Sequence, residues 1–210
     1  MRNKDITALI LSLKQDKEPF MVCIDGPDFP GKTEFIGRLS LPSDEYQVVN
    51  FKDFFTTELF SRRTDIKQIG ASFNWTRLRD EILIPLKNSE TATYNKVNSK
   101  TKKIHTTHKI HPKGLIFIEG TYTNRIELRS YYDFKIFISA DTETRLGRRF
   151  KTGFKRINNC RLSDENLIED KYFISEHKPL ENSDIVINAS SDDFNENTMP
   201  VYFSNKYKIQ

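Results

Sequence analysis

Eight residues constrain this chain more than any other stretch. Gly26-Pro27-Asp28-Phe29-Pro30-Gly31-Lys32-Thr33 fits the pattern G-x-x-x-x-G-K-[ST] position by position. An apolar run, Phe20 to Ile24, precedes it, and an amphipathic segment opened by Gly31 follows, so the turn is expected between a strand and a helix. A loop that wraps a phosphate must point its backbone N–H groups inward, which demands small or φ-permissive residues. Lysine then adds a mobile charge for the β/γ-phosphates, and the next hydroxyl is placed to ligate Mg²⁺. A bland glycine turn is the competing reading. Pro30 has no N–H, Phe29 stands where a flexible residue is expected, and Glu34 puts a negative charge after Thr33. A loop that binds phosphate weakly, or not at all, therefore stays open.

The 210 residues suit one domain with a sizeable core, read as residues 1–189, with a hairpin or mobile insertion at 89–113 and a polar tail over 190–210. A formal net charge of +4 is too small to argue for nucleic acid. Cys23 and Cys160 lie far apart with no disulfide framework, and Cys23 reads as a small buried thiol in a strand. No stretch approaches the ~20 apolar residues of a membrane span. Ile6, Leu9, Ile10 and Leu13 fall at helical spacing, which favours an amphipathic helix over a signal peptide. The expectation is a cytoplasmic protein without membrane contact, with homo-oligomerisation left open.

Strands are expected at Phe20 to Ile24, Tyr46 to Phe51, Gly114 to Glu119, Asp133 to Ser139 and Ile185 to Ile187. The continuous apolar run Leu115 to Ile118, closed by Glu119, is that of a strand buried on both faces of a parallel sheet. Between the strands, a short helix is expected from Asp53, and Asn74 caps one that carries Trp75, Leu78, Ile82 and Leu86 on one face. A further helix begins at Asp141, and Ser163 caps another. Alternation of this kind implies an α/β layered fold with a mostly parallel sheet.

Four places in order resemble the uridine kinase and phosphoribulokinase-like branch of the P-loop kinases. They are Gly26 to Thr33; Phe73-Asn74-Trp75-Thr76-Arg77-Leu78; Ile118-Glu119-Gly120-Thr121-Tyr122 with Glu127-Leu128-Arg129 and Tyr132-Asp133 behind it; and Asp141 to Arg149. The resemblance runs from about Phe20 to Ala189. It implies an α/β three-layer sandwich with a mostly parallel five-stranded sheet and helices on both faces, and transfer of a phosphoryl group from ATP, with Mg²⁺, to a small-molecule hydroxyl.

On that resemblance Gly26, Asp28, Gly31, Lys32 and Thr33 belong to the nucleotide loop, with Thr33 on Mg²⁺. Glu119 lies beside the metal, and Arg145, Arg148 and Arg149 belong to a lid at 145–162. Three arginines within five residues of a helix cannot all face one way, so one or two are expected to act. Where the family places its catalytic Asp, this chain has Lys52, in Lys52-Asp53-Phe54-Phe55. Asp53 is then the candidate base or metal ligand, although neighbours on a strand point to opposite faces and Asp53 is equally suited to cap a helix. The acceptor positions fall on Phe55, Asn74 and Tyr94.

Two other features carry less. His105, His108 and His111 alternate faces if they lie on a strand, so they do not converge on one ion. Lys96, Lys100, Lys102, Lys103, Lys109 and Lys113 lack the aromatic interleaving of a nucleic-acid surface and read as a solvated loop. Behind the kinase reading stand a nucleotide-binding protein without catalysis and, third, a nucleic-acid-binding module.

Overall fold

The computed structural model describes residues 3–54, 73–97, 104–151, 164–190 and 201–203. Six strands form one sheet: β1 (Phe20–Asp25), β2 (Tyr46–Asn50), β5 (Leu115–Glu119), β6 (Phe134–Ser139), β7 (Ile185–Asn188) and β8 (Val201–Phe203). Their spatial order is β2-β5-β1-β6-β7-β8. The first five run parallel and β8 antiparallel. A hairpin of β3 (Ala92–Val97) and β4 (Ile104–Ile110) stands apart from that sheet.

The pleat sorts the core into two layers. Phe20, Val22, Ile24, Leu115, Phe117, Phe134, Ile136 and Ile138 pack with Ile6 and Ile10 of α1 (Asn3–Lys14) and Phe35 and Ile36 of α2 (Lys32–Arg38). The alternate residues Met21, Cys23, Ile116 and Ile118 face the other way, onto Leu78, Ile82, Leu83 and Leu86 and onto Phe173 of α6 (Asp164–His177). Helices therefore cover both faces, and the continuous apolar runs of β1 and β5 follow from that double burial.

Several expectations shift. β2 stops at Asn50, and Phe51–Phe54 form a 3₁₀ turn. Three residues per turn set Phe51 and Phe54 on the same side, both fully buried, and turn Lys52 to solvent. Lys52 and Asp53 thus do not alternate across a strand. The helix capped by Asn74 is α3 (Trp75–Leu78), continued by a π-helical turn (Arg79–Leu83) and α4 (Ile84–Lys87). Pro85 has no N–H for the carbonyl of Glu81, and its ring would crowd that carbonyl in an α-helix; the wider π turn removes the conflict. Val201 to Phe203 do not belong to a polar tail: they pair with Ile185 to Ile187 and extend the sheet. Ser163, Cys160 and Phe55 lie outside the described residues.

The hairpin is held at its base by Gln47 of β2. Its side-chain amide donates to the carbonyls of His111 (2.8 Å) and Lys113 (3.2 Å), and its oxygen accepts the N–H of His111. Ala92, Tyr94 and Ile110 on one face of the hairpin are buried in the second core layer. The fold so places the C-terminal ends of β1, β2 and β5 side by side, with Glu119 in register with both Ile24 and Asn50.

Candidate functional site

Ligands of open α/β sheets bind outside the carboxyl ends of the strands, and the Gly26 to Gly31 loop leaves β1 at that edge. Gly26 has φ 150, and a Cβ there would lie 2.2 Å from the carbonyl oxygen of Ile138, so no other residue fits so close to β6. Phe29 (φ 63) and Gly31 (φ 98) are both left-handed, so the loop turns sharply before α2.

Lys32 opens α2 and is 5% exposed. Its Nζ donates to the carbonyls of Gly26 (2.8 Å) and Pro27 (2.7 Å) and to the Thr121 hydroxyl (3.2 Å). Burial pulls its pKa below the ordinary lysine value, against the opposing pull of Asp28, Glu119 and Asp25. The Thr33 hydroxyl donates to Glu119 Oε2 (3.2 Å), and the Asn50 amide donates to the same oxygen (3.3 Å). Glu119 is 1% exposed, which excludes a carboxylate resting in bulk solvent.

A hydroxyl beside a buried carboxylate is a hard-oxygen set suited to Mg²⁺, which keeps several waters and takes only one or two carboxylates from the protein. Among the described residues no group of three or more His, Cys, Asp or Glu is arranged to hold a metal alone. The donors fit a cation that is shared with phosphate oxygens. The lysine, the hydroxyl and the tight turn fit the phosphates themselves, although Pro30 contributes a carbonyl and no N–H.

Asp25, fully buried, ties the loop to the segment after β5. Its carboxylate accepts the N–H groups of Gly26 (2.6 Å), Tyr122 (2.9 Å) and Asn124 (2.7 Å). Burial nonetheless pushes its pKa up to about 6, against those hydrogen bonds and Lys32. Thr121 links Lys32 to Asp28, donating to Asp28 Oδ1 (3.0 Å).

Two arginines of α5 (Thr142–Lys151) lie on the loop. Arg145 donates to the Asp28 carbonyl (2.8 Å) and to Asp170 Oδ2 (2.8 Å). Arg148 donates to the carbonyls of Pro30 (2.6 Å) and Ala189 (2.9 Å). The side chain of Arg149 lies outside the description.

In the 3₁₀ turn after β2, Asp53 accepts from the Tyr94 hydroxyl (3.2 Å) and pairs with Lys96 (3.3 Å). Tyr94 stacks on Phe54 at 5.1 Å between ring centroids. Asn74 caps α3: its Oδ1 accepts the Arg77 N–H (2.9 Å) and the Thr76 hydroxyl (2.6 Å). The structure brings together Gly26, Asp28, Gly31, Lys32, Thr33, Glu119, Arg145 and Arg148. Asp53 and Tyr94 touch each other, while Asn74 is occupied as a helix cap.

The sequence alone assigned no role to Asn50, Asp25 or Asp170, and Thr121 stood there only as part of a motif. Asn50 and Asp25 close apolar strands, and Thr121 follows Glu119-Gly120; strand-end position was the available signal. Asp170, in the middle of a polar helix, offered none.

The loop, the mostly parallel sheet and the helices on both faces make an α/β three-layer sandwich, the fold of the P-loop kinases among the solved structures similar to it. Solved structures similar to this chain include a possible uridine kinase from Bacillus stearothermophilus (TM-score 0.67, 18% identity, 88% of this chain and 96% of that one). D-glycerate 3-kinase from Cryptococcus neoformans var. grubii is similar too (TM-score 0.62, 11% identity, 96% and 98%), as is the YGR205w protein (0.62, 14%, 97% and 99%). No protein-family model matches the chain, and no curated protein is similar to it in sequence. At these identities the likeness is one of fold.

Proposed function

We propose that this protein is an ATP- and Mg²⁺-dependent phosphotransferase acting on a hydroxyl of a small molecule, a nucleoside or a compound of similar size. The observation that carries the reading is the contact of Thr33 with Glu119 at 3.2 Å, with Lys32 buried beside it on its own loop. Mg·ATP supplies the transferable phosphoryl group and a metal that neutralises its charge. Phosphoryl transfer asks little covalent chemistry of the protein and depends on position and charge.

Lys32, released from the Gly26 and Pro27 carbonyls, has three N–H donors for phosphate oxygens. Thr33 and Glu119 would hold the metal, and Asn50 fixes the Glu119 carboxylate. Arg145 and Arg148 already lie against the loop, and their fixed forks suit phosphate. Arg149 is a further candidate from the same helix. Asp53 is the acid assigned to the acceptor's proton, and Phe55 and Tyr94 are assigned to the acceptor. Asn74 supports that side as a cap. Two of the similar structures are a possible uridine kinase and a D-glycerate 3-kinase, which supports a hydroxyl acceptor. No helix among the described residues is long and apolar enough to cross a membrane, and a cytoplasmic setting is part of the proposal.

A second reading, nucleotide binding without transfer, is favoured by Lys52 and Asp53. Lys52 is exposed at the position resembling the catalytic Asp, and Asp53 is already engaged by Tyr94 and Lys96. Phosphorus NMR of Mg·ATP with a panel of nucleosides, sugars and hydroxy acids separates the two. A new phosphomonoester that disappears in Lys32→Ala supports transfer; bound nucleotide with no product from any acceptor supports the second reading.

A further inference from the structure

Asp170 is a half-buried carboxylate on α6 that the mechanism above does not use. Its side chain is 14% exposed and that of Arg145 is 6%, so their pair at 2.8 Å is largely screened from water. Arg145 is gripped from two sides: Nη2 lies on Asp170, while Nε lies on the Asp28 carbonyl in the phosphate loop. Asp170 also accepts from the Tyr122 hydroxyl at 3.4 Å. The backbone N–H of Tyr122 is held by Asp25, and its neighbour Thr121 joins Lys32 to Asp28. One carboxylate therefore reaches the loop along two routes without touching it.

Resting on the nucleotide-binding reading, we propose that Asp170 is a positioning residue that holds the Arg145 guanidinium against the phosphate loop and so sets the affinity for Mg·ATP. A free arginine side chain loses rotamer entropy when it takes up a phosphate, and a carboxylate fixed behind it meets that cost in advance. Burial gives the pair its leverage. In the low-dielectric interior the Asp170 charge fixes the direction of the guanidinium far more firmly than a surface partner would. Asp28 and Asp170 flank Arg145, and the Asp28 charge adds to burial in raising the Asp170 pKa, opposed by Arg145. Incoming phosphate oxygens thus meet an arginine already placed.

The test is calorimetric titration of the full chain with Mg·ATP for the wild type, Asp170→Asn, Arg145→Ala and the double variant, with thermal unfolding recorded for each. Asp170→Asn is expected to weaken Mg·ATP by about tenfold, the effect of losing one hydrogen bond to a charged group. In the Arg145→Ala background the same change is expected to have no further effect, because Asp170 acts through Arg145. Losses that multiply in the double variant, or a wild-type affinity in Asp170→Asn, overturn the proposal. Should Asp170→Asn fail to fold, Asp170→Glu keeps the charge but displaces it by one methylene, and the same comparison with Arg145→Ala decides. Wild-type protein that takes up no Mg·ATP overturns the nucleotide reading itself, an outcome distinct from both.

Discussion

The Thr33 hydroxyl and the Glu119 carboxylate, 86 positions apart in the chain, meet at 3.2 Å where the start of α2 faces the end of β5. Parallel pairing of β1 with β5 produces this meeting: Ile24 stands opposite Glu119, and the loop that leaves β1 folds back over the same strand end. Glu119→Gln keeps the shape and the Asn50 neighbour but removes the charge. It is expected to raise the Mg²⁺ concentration needed for nucleotide binding by about tenfold, as loss of a charge-assisted contact does. Titration of Mg²⁺ at fixed ATP checks this; an unchanged requirement would remove Glu119 from the metal.

Asp25 should leave a mark on the pH dependence of stability. Its pKa rises from 3.8 to about 6 on folding, so the folded state holds the proton more tightly than the unfolded chain. Its contribution is full below about 3.8 and is lost as the pH climbs through 6. The difference between the two pKa values corresponds to about 3 kcal/mol at most. Denaturant unfolding of wild type and Asp25→Asn from pH 3.5 to 7.5 isolates it. The wild type should lose stability relative to the variant across that window, and parallel profiles would contradict the assignment.

Lys32 is costly to the empty protein, because burial lowers its pKa and disfavours the charged form. A depressed lysine pKa gives up stability as the pH falls below the unfolded value of about 10.5. Lys32→Met is therefore expected to unfold at the same or a higher temperature than the wild type at pH 7, while it no longer takes up Mg·ATP. A variant that melts clearly lower would make Lys32 a structural residue.

Asn74 caps α3 through its Oδ1. Asn74→Ala should cost about 1 kcal/mol, and Asn74→Asp or Asn74→Ser should restore most of it. Equal losses for all three, measured by urea unfolding, would show that the amide itself matters.

The turn between β1 and α2, the two doubly buried strands and the acid that closes β5 were legible in the sequence because each is a local pattern: eight consecutive residues, or an apolar run closed by an acid. The arginines of α5 were legible as a group, and geometry then turned Arg145 and Arg148 to the loop. Tertiary packing decided what was not legible. The fully buried Phe51 and Phe54 drew the chain into a 3₁₀ turn, which no strand periodicity foretells. Val201 to Phe203 joined the sheet because the outer edge of β7 was open to pairing, a vacancy visible only once the strand order is known. Asp170 and Thr121 matter through partners 25 and 89 positions away, and a pattern of neighbours does not register such pairs.

Thermal unfolding with and without Mg·ATP tests the central claim most directly, in the wild type and in Lys32→Ala. At 100 times its dissociation constant a ligand stabilises by about 2.7 kcal/mol, a rise of roughly 2–4 °C for a chain of this size. The nucleotide reading requires that rise in the wild type and its absence in Lys32→Ala. An unchanged melting temperature at millimolar Mg·ATP, or an equal rise in both proteins, would contradict it.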